Sequence, residues 1–275
     1  MTLPLYQVDA FARRPFAGNP AAVCPLPAWL PAETMQLIAA ENNLAETAFF
    51  VPLPAEAAAD FHLRWFTPTF EIDLCGHATL ATAHVLWQEF GFAKAEVTFE
   101  SQSGLLRVRR EVDGRLVLDF PSRPPRPLAA VEVPPALTEA LGPGAAQPLA
   151  VLAARDLVVE FAHADEVLAL RPHFAALEKL GYIGVVATAP GPAGVDFVSR
   201  FFAPEVGVPE DPVTGSAHST LIPFWAAKLG KTELFARQES ARGGELWCRL
   251  RGDRVDIGGY AVTYLRGQID VPDVP

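Results

Sequence analysis

Two stretches of this sequence decide its fold: Glu71-Ile72-Asp73-Leu74-Cys75-Gly76-His77-Ala78 and Glu210-Asp211-Pro212-Val213-Thr214-Gly215-Ser216-Ala217. In each, an acidic loop leads into a Gly-X-Ala sequence that begins an apolar helix. The glycines of the two Gly-X-Ala sequences lie 139 residues apart, and so do Gly91 and Gly230, which follow the two helices. Glycine is the usual residue just past a helix end. The joint match predicts a duplicated chain with one long helix in each half.

Both predicted helices, from about Ala78 to Phe90 and from about Ala217 to Leu229, are apolar on most sides. A helix that is apolar nearly all round is buried. The segments around them read as short strands, so we expect a mostly antiparallel sheet curved around each helix. The fold class is therefore predicted as α+β, with two pseudo-twofold-related, barrel-like domains that each enclose a central helix.

The remaining elements follow from periodicity and punctuation. Shorter helices are predicted from Pro31 to about Glu41 and from Pro172 to Leu180. A proline cluster from Pro121 to Pro148 marks the crossing between domains 1–122 and 123–265. Strands are predicted at 5–10, 47–51, 61–65, 96–100, 105–109, 116–120, 158–161, 183–188, 195–202, 246–250, 255–257 and 262–265.

Composition excludes several classes of protein. The 275 residues include 22 basic and 32 acidic ones, a net charge of −10 that disfavours nucleic-acid binding. No apolar run approaches the ~20 residues of a membrane span, and the N-terminus lacks the pattern of a signal peptide. Cys24, Cys75 and Cys248 have no metal-ligand spacing. We expect a cytoplasmic protein with reduced thiols, no metal and no membrane partner.

The two helix starts suggest where a ligand binds. Backbone N–H groups at a helix start are unpaired and favour an anion. Those near Gly76 and Ala78, and those of Gly215 and Ser216, could therefore hold a carboxylate. The alternative is that the glycines only turn the chain into a helix.

Three further side chains could carry chemistry. His77 stands at a helix start, and imidazole titrates near neutral pH. Glu46 precedes an apolar run, surroundings that suit a carboxylate for proton transfer, although it could be a solvated loop residue. Asp211 could serve the reaction or cap the helix, as Thr214 could. His84 and His218 are better explained as core histidines.

The sequence resembles a known family in four ordered blocks: Phe16-Ala17-Gly18-Asn19-Pro20, Asn43-Leu44-Ala45-Glu46-Thr47, Asp73-Leu74-Cys75-Gly76-His77-Ala78-Thr79 and Glu210-Asp211-Pro212-Val213-Thr214-Gly215-Ser216-Ala217. These blocks are similar to the signature blocks of the PhzF (phenazine biosynthesis-like) family. That family has the diaminopimelate epimerase-like fold. The resemblance spans nearly the whole chain.

The resemblance implies an isomerase with no metal and no organic cofactor, commonly a homodimer, whose active-site cleft lies between the two domains. It also implies that the final strand, about 266–275, returns to the first domain. By the same resemblance, Glu46, His77 and Asp211 are catalytic. Asn19 lines the site, and Gly76, Ala78, Gly215 and Ser216 bind the substrate.

The duplication also bears on the mechanism. Racemases and epimerases of this fold use one thiol per half, at positions that match Cys75 and Thr214, and only one of these is a cysteine. Glu46 also has no counterpart, since Gly184 or Val185 stands there. One carboxylate serving both steps can move a proton between two carbons on one face. We therefore expect a 1,3-type proton shift on a small cyclic or unsaturated amino or hydroxy carboxylate.

Two alternatives stay open. The protein could be a non-catalytic member of the fold that binds a small anion or interacts with another protein. It could also be a racemase or epimerase that uses Cys75.

Overall fold

The structure is a computed structural model and describes residues 1–272. The chain forms two compact units. Unit 1 comprises Met1–Asp119 and the chain from Gly258 onward, and unit 2 comprises Phe120–Ile257. The first change of unit thus falls at 119/120, where the sequence suggested 122/123, and the return falls at Gly258, where it suggested about 266. Residues 273–275 of the predicted returning segment lie outside the described residues.

Unit 1 is built from strands with two helices. Its elements are β1 Thr2–Ala10, β2 Asn19–Pro25, α1 Ala32–Asn42, β3 Glu46–Pro52, β4 Phe61–Phe66, β5 Glu71–Ile72, α2 Gly76–Gln88, β6 Glu96–Ser101, β7 Gly104–Arg110, β8 Leu116–Pro121 and, at the end of the chain, β18 Ala261–Asp270.

The strands of unit 1 pair in a mixed pattern. β1 lies antiparallel to both β2 and β18. β2 runs parallel to β3, β3 antiparallel to β4, and β4 pairs antiparallel with β5 and parallel with β6. The series ends with the antiparallel pairs β6–β7 and β7–β8. Of the thirteen residues of α2, eleven are buried, so this helix lies in the core as its composition predicted.

Unit 2 repeats this plan with more short helices. Its elements are β9 Arg126–Pro127, α3 Leu137–Ala140, β10 Ala150–Ala153, β11 Leu157–Glu160, α4 Ala164–Ala169, α5 Phe174–Leu177, β12 Val185–Pro190, β13 Phe197–Ala203, β14 Val208–Asp211, α6 Gly215–Leu229, β15 Glu233–Gln238, β16 Gly244–Arg251 and β17 Arg254–Gly259.

The pairing in unit 2 follows the order of unit 1. β10 is antiparallel to β11, β11 parallel to β12, and β12 antiparallel to β13. β13 then pairs antiparallel with β14 and parallel with β15, which is antiparallel to β16. The same sequence of parallel and antiparallel pairs occurs twice, which confirms the predicted duplication.

The long helix of unit 2 contains a proline that its surroundings accommodate. Pro223 lies inside α6 and has no N–H to donate to the carbonyl four residues earlier, that of Ser219. The backbone N–H of Arg123 donates to that oxygen instead, at 2.9 Å. The helix therefore continues through the proline without leaving a buried carbonyl unpaired.

Several predicted elements need correction. The strands β2 and β15 and the helix α4 were not predicted. The helix expected from Pro172 to Leu180 is the single turn α5 followed by a 3₁₀ turn, Glu178–Leu180. Both long helices begin at their glycine, two residues earlier than predicted, and α2 ends at Gln88 rather than at Phe90.

Candidate active site

The site in unit 1 forms where two strands and a helix begin. Glu46 is the first residue of β3, Asn19 the first of β2 and His77 the second of α2. Asn43 sits just before Glu46 with a left-handed φ of 48°, a conformation that asparagine tolerates, and it turns the chain from α1 into β3. The parallel pairing of β2 and β3 sets Ala21 opposite Glu46, which brings the starts of these strands together.

His77 is the centre of this site. Its Nε2 lies 2.9 Å from Oε2 of Glu46, and the two side chains are 6% and 13% exposed. On the other side of the ring, Nδ1 lies 3.2 Å from Nδ2 of Asn19 and 3.5 Å from Sγ of Cys75. Within residues 1–272, neither Nε2 of His77 nor Oε2 of Glu46 makes an aligned hydrogen bond. The two atoms therefore face each other as an ion pair.

The surroundings favour the charged form of His77. Burial lowers the pKa of His77, but the neighbouring Cys75 and the Glu46 carboxylate outweigh it and hold the pKa well above its ordinary value. Burial and the Glu46 charge raise the pKa of Cys75 to about 11. Cys75 is therefore a neutral thiol near pH 7. Glu46 is thus the charge that stabilises the imidazolium in that range.

The contact with Asn19 depends on this protonation state. Where the Asn19 Nδ2–H donates to Nδ1, the ring is neutral and carries its proton on Nε2. An imidazolium needs an acceptor at Nδ1, which Asn19 supplies once its amide turns over to present Oδ1. In both states a proton on Nε2 faces Glu46.

Glu46, Cys75 and His77 are also the residue types that bind metals, and their ligand atoms lie within 4.8 Å of one another. In this arrangement Cys75 faces Nδ1 of His77 while Glu46 faces Nε2. One ion takes one nitrogen of an imidazole ring. As arranged, the three side chains therefore suit proton transfer better than ligation of a single metal.

The helix starts are occupied differently from the prediction. Gly76 begins α2, but the backbone N–H of Ala78 donates to the sulfur of Cys75. In unit 2, Gly215 and Ser216 are the first two residues of α6, and Asp211 ends β14. The structure thus brings Asn19, Glu46, Cys75 and His77 together in unit 1, and Asp211, Thr214, Gly215 and Ser216 along one loop of unit 2.

The loop of unit 2 is held by its own hydrogen bonds. The Thr214 hydroxyl donates to Oδ2 of Asp211 in a short contact. Gln238 of β15 accepts the backbone N–H of Thr214 at 2.8 Å and donates to the carbonyl of Asp211 at 2.8 Å. The sequence gave no indication of Gln238, since its contacts depend on how β15 packs beside β13.

A pair of arginines also escaped the sequence interpretation. Arg64 of β4 donates to both oxygens of Glu71, at 2.7 Å each. Arg200 of β13 donates to both oxygens of Glu210, at 2.7 and 3.0 Å. Arg64 and Arg200 lie 136 residues apart, the offset already seen for Phe66 and Phe202. This offset was the signal that could have revealed the two clamps.

The two other helix histidines are core residues, as expected. Burial lowers the pKa of His84 and that of His218 to about 4 each. His84 contacts the Thr263 hydroxyl at 3.0 Å, and Nδ1 of His218 donates to the carbonyl of Thr214 at 2.8 Å. Both rings are therefore neutral near pH 7.

The fold defines the class of protein first. Solved structures with this architecture include a hydroxyproline epimerase from Agrobacterium vitis, with a TM-score of 0.62, 12% identity and coverage of 98% of this chain and 92% of that one. At this identity the likeness shows the fold alone, which is the predicted diaminopimelate epimerase-like fold. In the described part of the chain, no helix is long and apolar enough to cross a membrane.

Relatives of higher identity place the chain within that class. The "Uncharacterized isomerase PA3578" of Pseudomonas aeruginosa is 53% identical, over 98% of this chain and 99% of its own length. A PhzF family protein from Enterococcus faecalis has a TM-score of 0.91 at 45% identity, covering 98% of this chain and all of that one. The model of the PhzC-PhzF family, "Phenazine biosynthesis-like protein", matches residues 8–267. The chain belongs to the PhzC-PhzF family and is an enzyme of the isomerase class.

Proposed function

We propose that the protein is a cofactor-independent isomerase that catalyses a 1,3-type proton shift on a small cyclic or unsaturated amino or hydroxy carboxylate. The observation that carries this proposal is the buried pair of Glu46 and His77, with 2.9 Å between Oε2 and Nε2. A carboxylate held beside an imidazole that is itself charged can accept a proton from an acidified C–H and return it.

In the proposed reaction, Glu46 removes a proton from one carbon and delivers it to a second carbon on the same face while the double bond moves. His77 stabilises the charge on Glu46 before proton removal and orients the substrate. The absence of a carboxylate at the position matching Glu46 supports a single acid/base group. Gly184 stands there, and a Cβ on it would lie 2.3 Å from the ring of Phe201.

The remaining predicted site residues complete the proposal. Asp211 orients or protonates a polar substituent of the substrate, and the N–H groups near Gly76, Gly215 and Ser216 bind its carboxylate. Asn19 acts on the substrate only through His77, whose Nδ1 it contacts at 3.2 Å. A homodimer and a cytoplasmic location stay predictions, and sedimentation velocity and cell fractionation test them.

The test is turnover of a dihydro-hydroxyanthranilate in deuterated water, followed by NMR. Glu46→Gln keeps the size of the side chain and removes its basicity, so the rate should fall by about 10²–10⁴-fold. Glu41→Gln, an exposed glutamate on the preceding helix α1, is the matched control and should leave the rate unchanged. An undiminished rate in Glu46→Gln would overturn the assignment.

The two alternatives give different results in the same assay. A non-catalytic anion-binding protein would bind small carboxylates and exchange no substrate hydrogen. A racemase using Cys75 would invert one carbon without moving a double bond and would lose activity in Cys75→Ala. The raised pKa of Cys75, about 11, disfavours the second alternative because little thiolate exists near pH 7.

A further inference from the structure

One buried amide in unit 2 makes all its hydrogen bonds to the loop that carries Asp211. Gln238 is the last residue of β15, and it is 1% exposed. Its Oε1 accepts the backbone N–H of Thr214 at 2.8 Å. Its Nε2 donates to the carbonyl oxygen of Asp211 at 2.8 Å and to Oγ1 of Thr214 at 3.1 Å. One side chain therefore joins both ends of the turn from Asp211 to Thr214.

These bonds fix the direction of the Thr214 hydroxyl group. Because Oγ1 accepts an N–H from Gln238, its own hydrogen is free to point elsewhere, and it points to Oδ2 of Asp211. The result is a chain of donors that runs from Gln238 through Thr214 to the Asp211 carboxylate. Such a chain orients the carboxylate and favours its charged form, since a hydrogen bond to an ionised acceptor is stronger than a neutral one.

The corresponding loop of unit 1 lacks these parts. At the offset of 139 residues, Ile72 stands where Asp211 does and Cys75 where Thr214 does. The sulfur of Cys75 accepts the N–H of Ala78 and lies 3.5 Å from the His77 ring. The hydroxyl and the carboxylate that the amide braces thus occur together in unit 2, which argues that the brace serves the carboxylate rather than the loop fold.

We propose that Gln238 is a positioning residue for Asp211, which it orients through the hydroxyl group of Thr214. This inference rests on the proposed function only for the part that Asp211 takes in the reaction. The orientation and protonation of Asp211 can be measured without any turnover.

The experiment replaces the amide and follows the Asp211 carboxyl carbon by ¹³C NMR as a function of pH, with Asp211→Asn identifying the signal. Gln238→Leu removes all three bonds. Gln238→Glu keeps an acceptor for the Thr214 N–H but removes both N–H donors, and it tests the inference if the leucine variant does not fold. In each, the acid dissociation constant of Asp211 should fall by about tenfold, because its hydroxyl donor is no longer directed.

Two controls separate this role from a general effect on the fold. Gln36→Leu removes another side-chain amide that donates to a backbone carbonyl, that of Thr67 at 2.8 Å in unit 1, and should leave the Asp211 titration unchanged. Thr214→Val should weaken the Asp211 acid as Gln238→Leu does, and the double variant should add nothing further. An unchanged Asp211 titration in the folded Gln238 variants, or fully additive effects with Thr214→Val, would overturn the inference.

The same variants keep the two proposals apart. If the Asp211 titration moves and turnover falls mainly in kcat, both proposals are supported. If the titration moves while the rate of turnover stays at the wild-type level, the brace is supported and Asp211 is removed from the proposed reaction.

Discussion

The two loops that precede the long helices share their frame and differ in their chemistry. Each begins with a glutamate, Glu71 or Glu210, held by both oxygens to an arginine of the preceding strand. Beyond that clamp, the first loop carries Cys75 and leads to His77, whereas the second carries Asp211 and Thr214. The duplicated parts are those that hold the loop, and the parts that differ are those that could meet a substrate. Stability and activity should therefore separate in mutagenesis.

The largest expected effect breaks the shared part of the comparison. Arg200→Met should lower the free energy of unfolding by about 3–5 kcal/mol, because it leaves Glu210 unpaired and two carbonyl oxygens without their donor. Arg200 also donates to the carbonyls of Val167 and Leu170, at 3.1 and 3.0 Å. Arg64→Met should cost less, since the Arg64 side chain is 20% exposed against 11% for Arg200. Urea unfolding of the two variants measures the difference, and an equal loss in both would contradict the ranking.

A second effect, nearly as large, sets the core histidines against the site histidine. The pKa values of His84 and His218 are about 4 in the folded chain, below the unfolded value of about 6.5. The unfolded state therefore binds more protons between these pH values, and stability falls as the pH drops through that window. The loss is at most about 3 kcal/mol for each histidine.

The variants His84→Gln and His218→Asn keep a donor near the original nitrogen and cannot become charged. Each should flatten the dependence of urea unfolding on pH between about 4 and 6.5. His77 behaves oppositely, because its pKa is raised: its contribution is complete below the unfolded pKa and is lost as the pH rises through the folded one. A slope unchanged in both core variants would show that other groups cause the acid sensitivity.

The smallest effect concerns a second buried carboxyl group, which unlike Glu46 faces no histidine. Asp156 is 4% exposed, and its Oδ1 has no hydrogen-bond partner among residues 1–272. Burial raises the pKa of Asp156, opposed by the charges of Arg155 and Arg123. The unfolded chain therefore releases this proton at lower pH, so wild-type stability falls as the pH rises between the two pKa values.

Asp156→Asn should remove that dependence. Relative to the variant, the wild-type protein should lose at most about 1.4 kcal/mol per pH unit in the window that starts near pH 4. Asp165→Asn, at an exposed aspartate of α4 in the same unit, is the matched control. Parallel pH profiles for wild type and Asp156→Asn would contradict the prediction.

The sequence allowed the duplicated frame to be predicted because its signals are local. A Gly-X-Ala start, an apolar helix and a closing glycine lie within about twenty residues, and each has a direct physical reason. The strand β2 was missed because Asn19–Pro25 has a proline near each end, a composition that disfavours a strand. Here Pro20 and Pro25 are accommodated at the limits of the strand.

Contacts between distant residues marked the limit of sequence reasoning for the site. Glu46 and His77 were linked by the family resemblance, and their 2.9 Å contact depends on how β3 meets α2. Gln238 reaches Thr214 because β15 lies parallel to β13 rather than beside its neighbour in sequence. Nothing in the residue types around Gln238 indicates that pairing.

The antiparallel pairing of β1 with β18 has a consequence for synthesis on the ribosome. Thr2 lies opposite Asp270, so the first strand finds this neighbour only after some 260 further residues have been translated. Unit 2 is continuous from Phe120 to Ile257 and can complete its strand pairs earlier. Until the end of the chain emerges, one edge of β1 stays open, and open strand edges pair readily with other chains. Truncated or stalled chains should therefore be the aggregation-prone form of this protein.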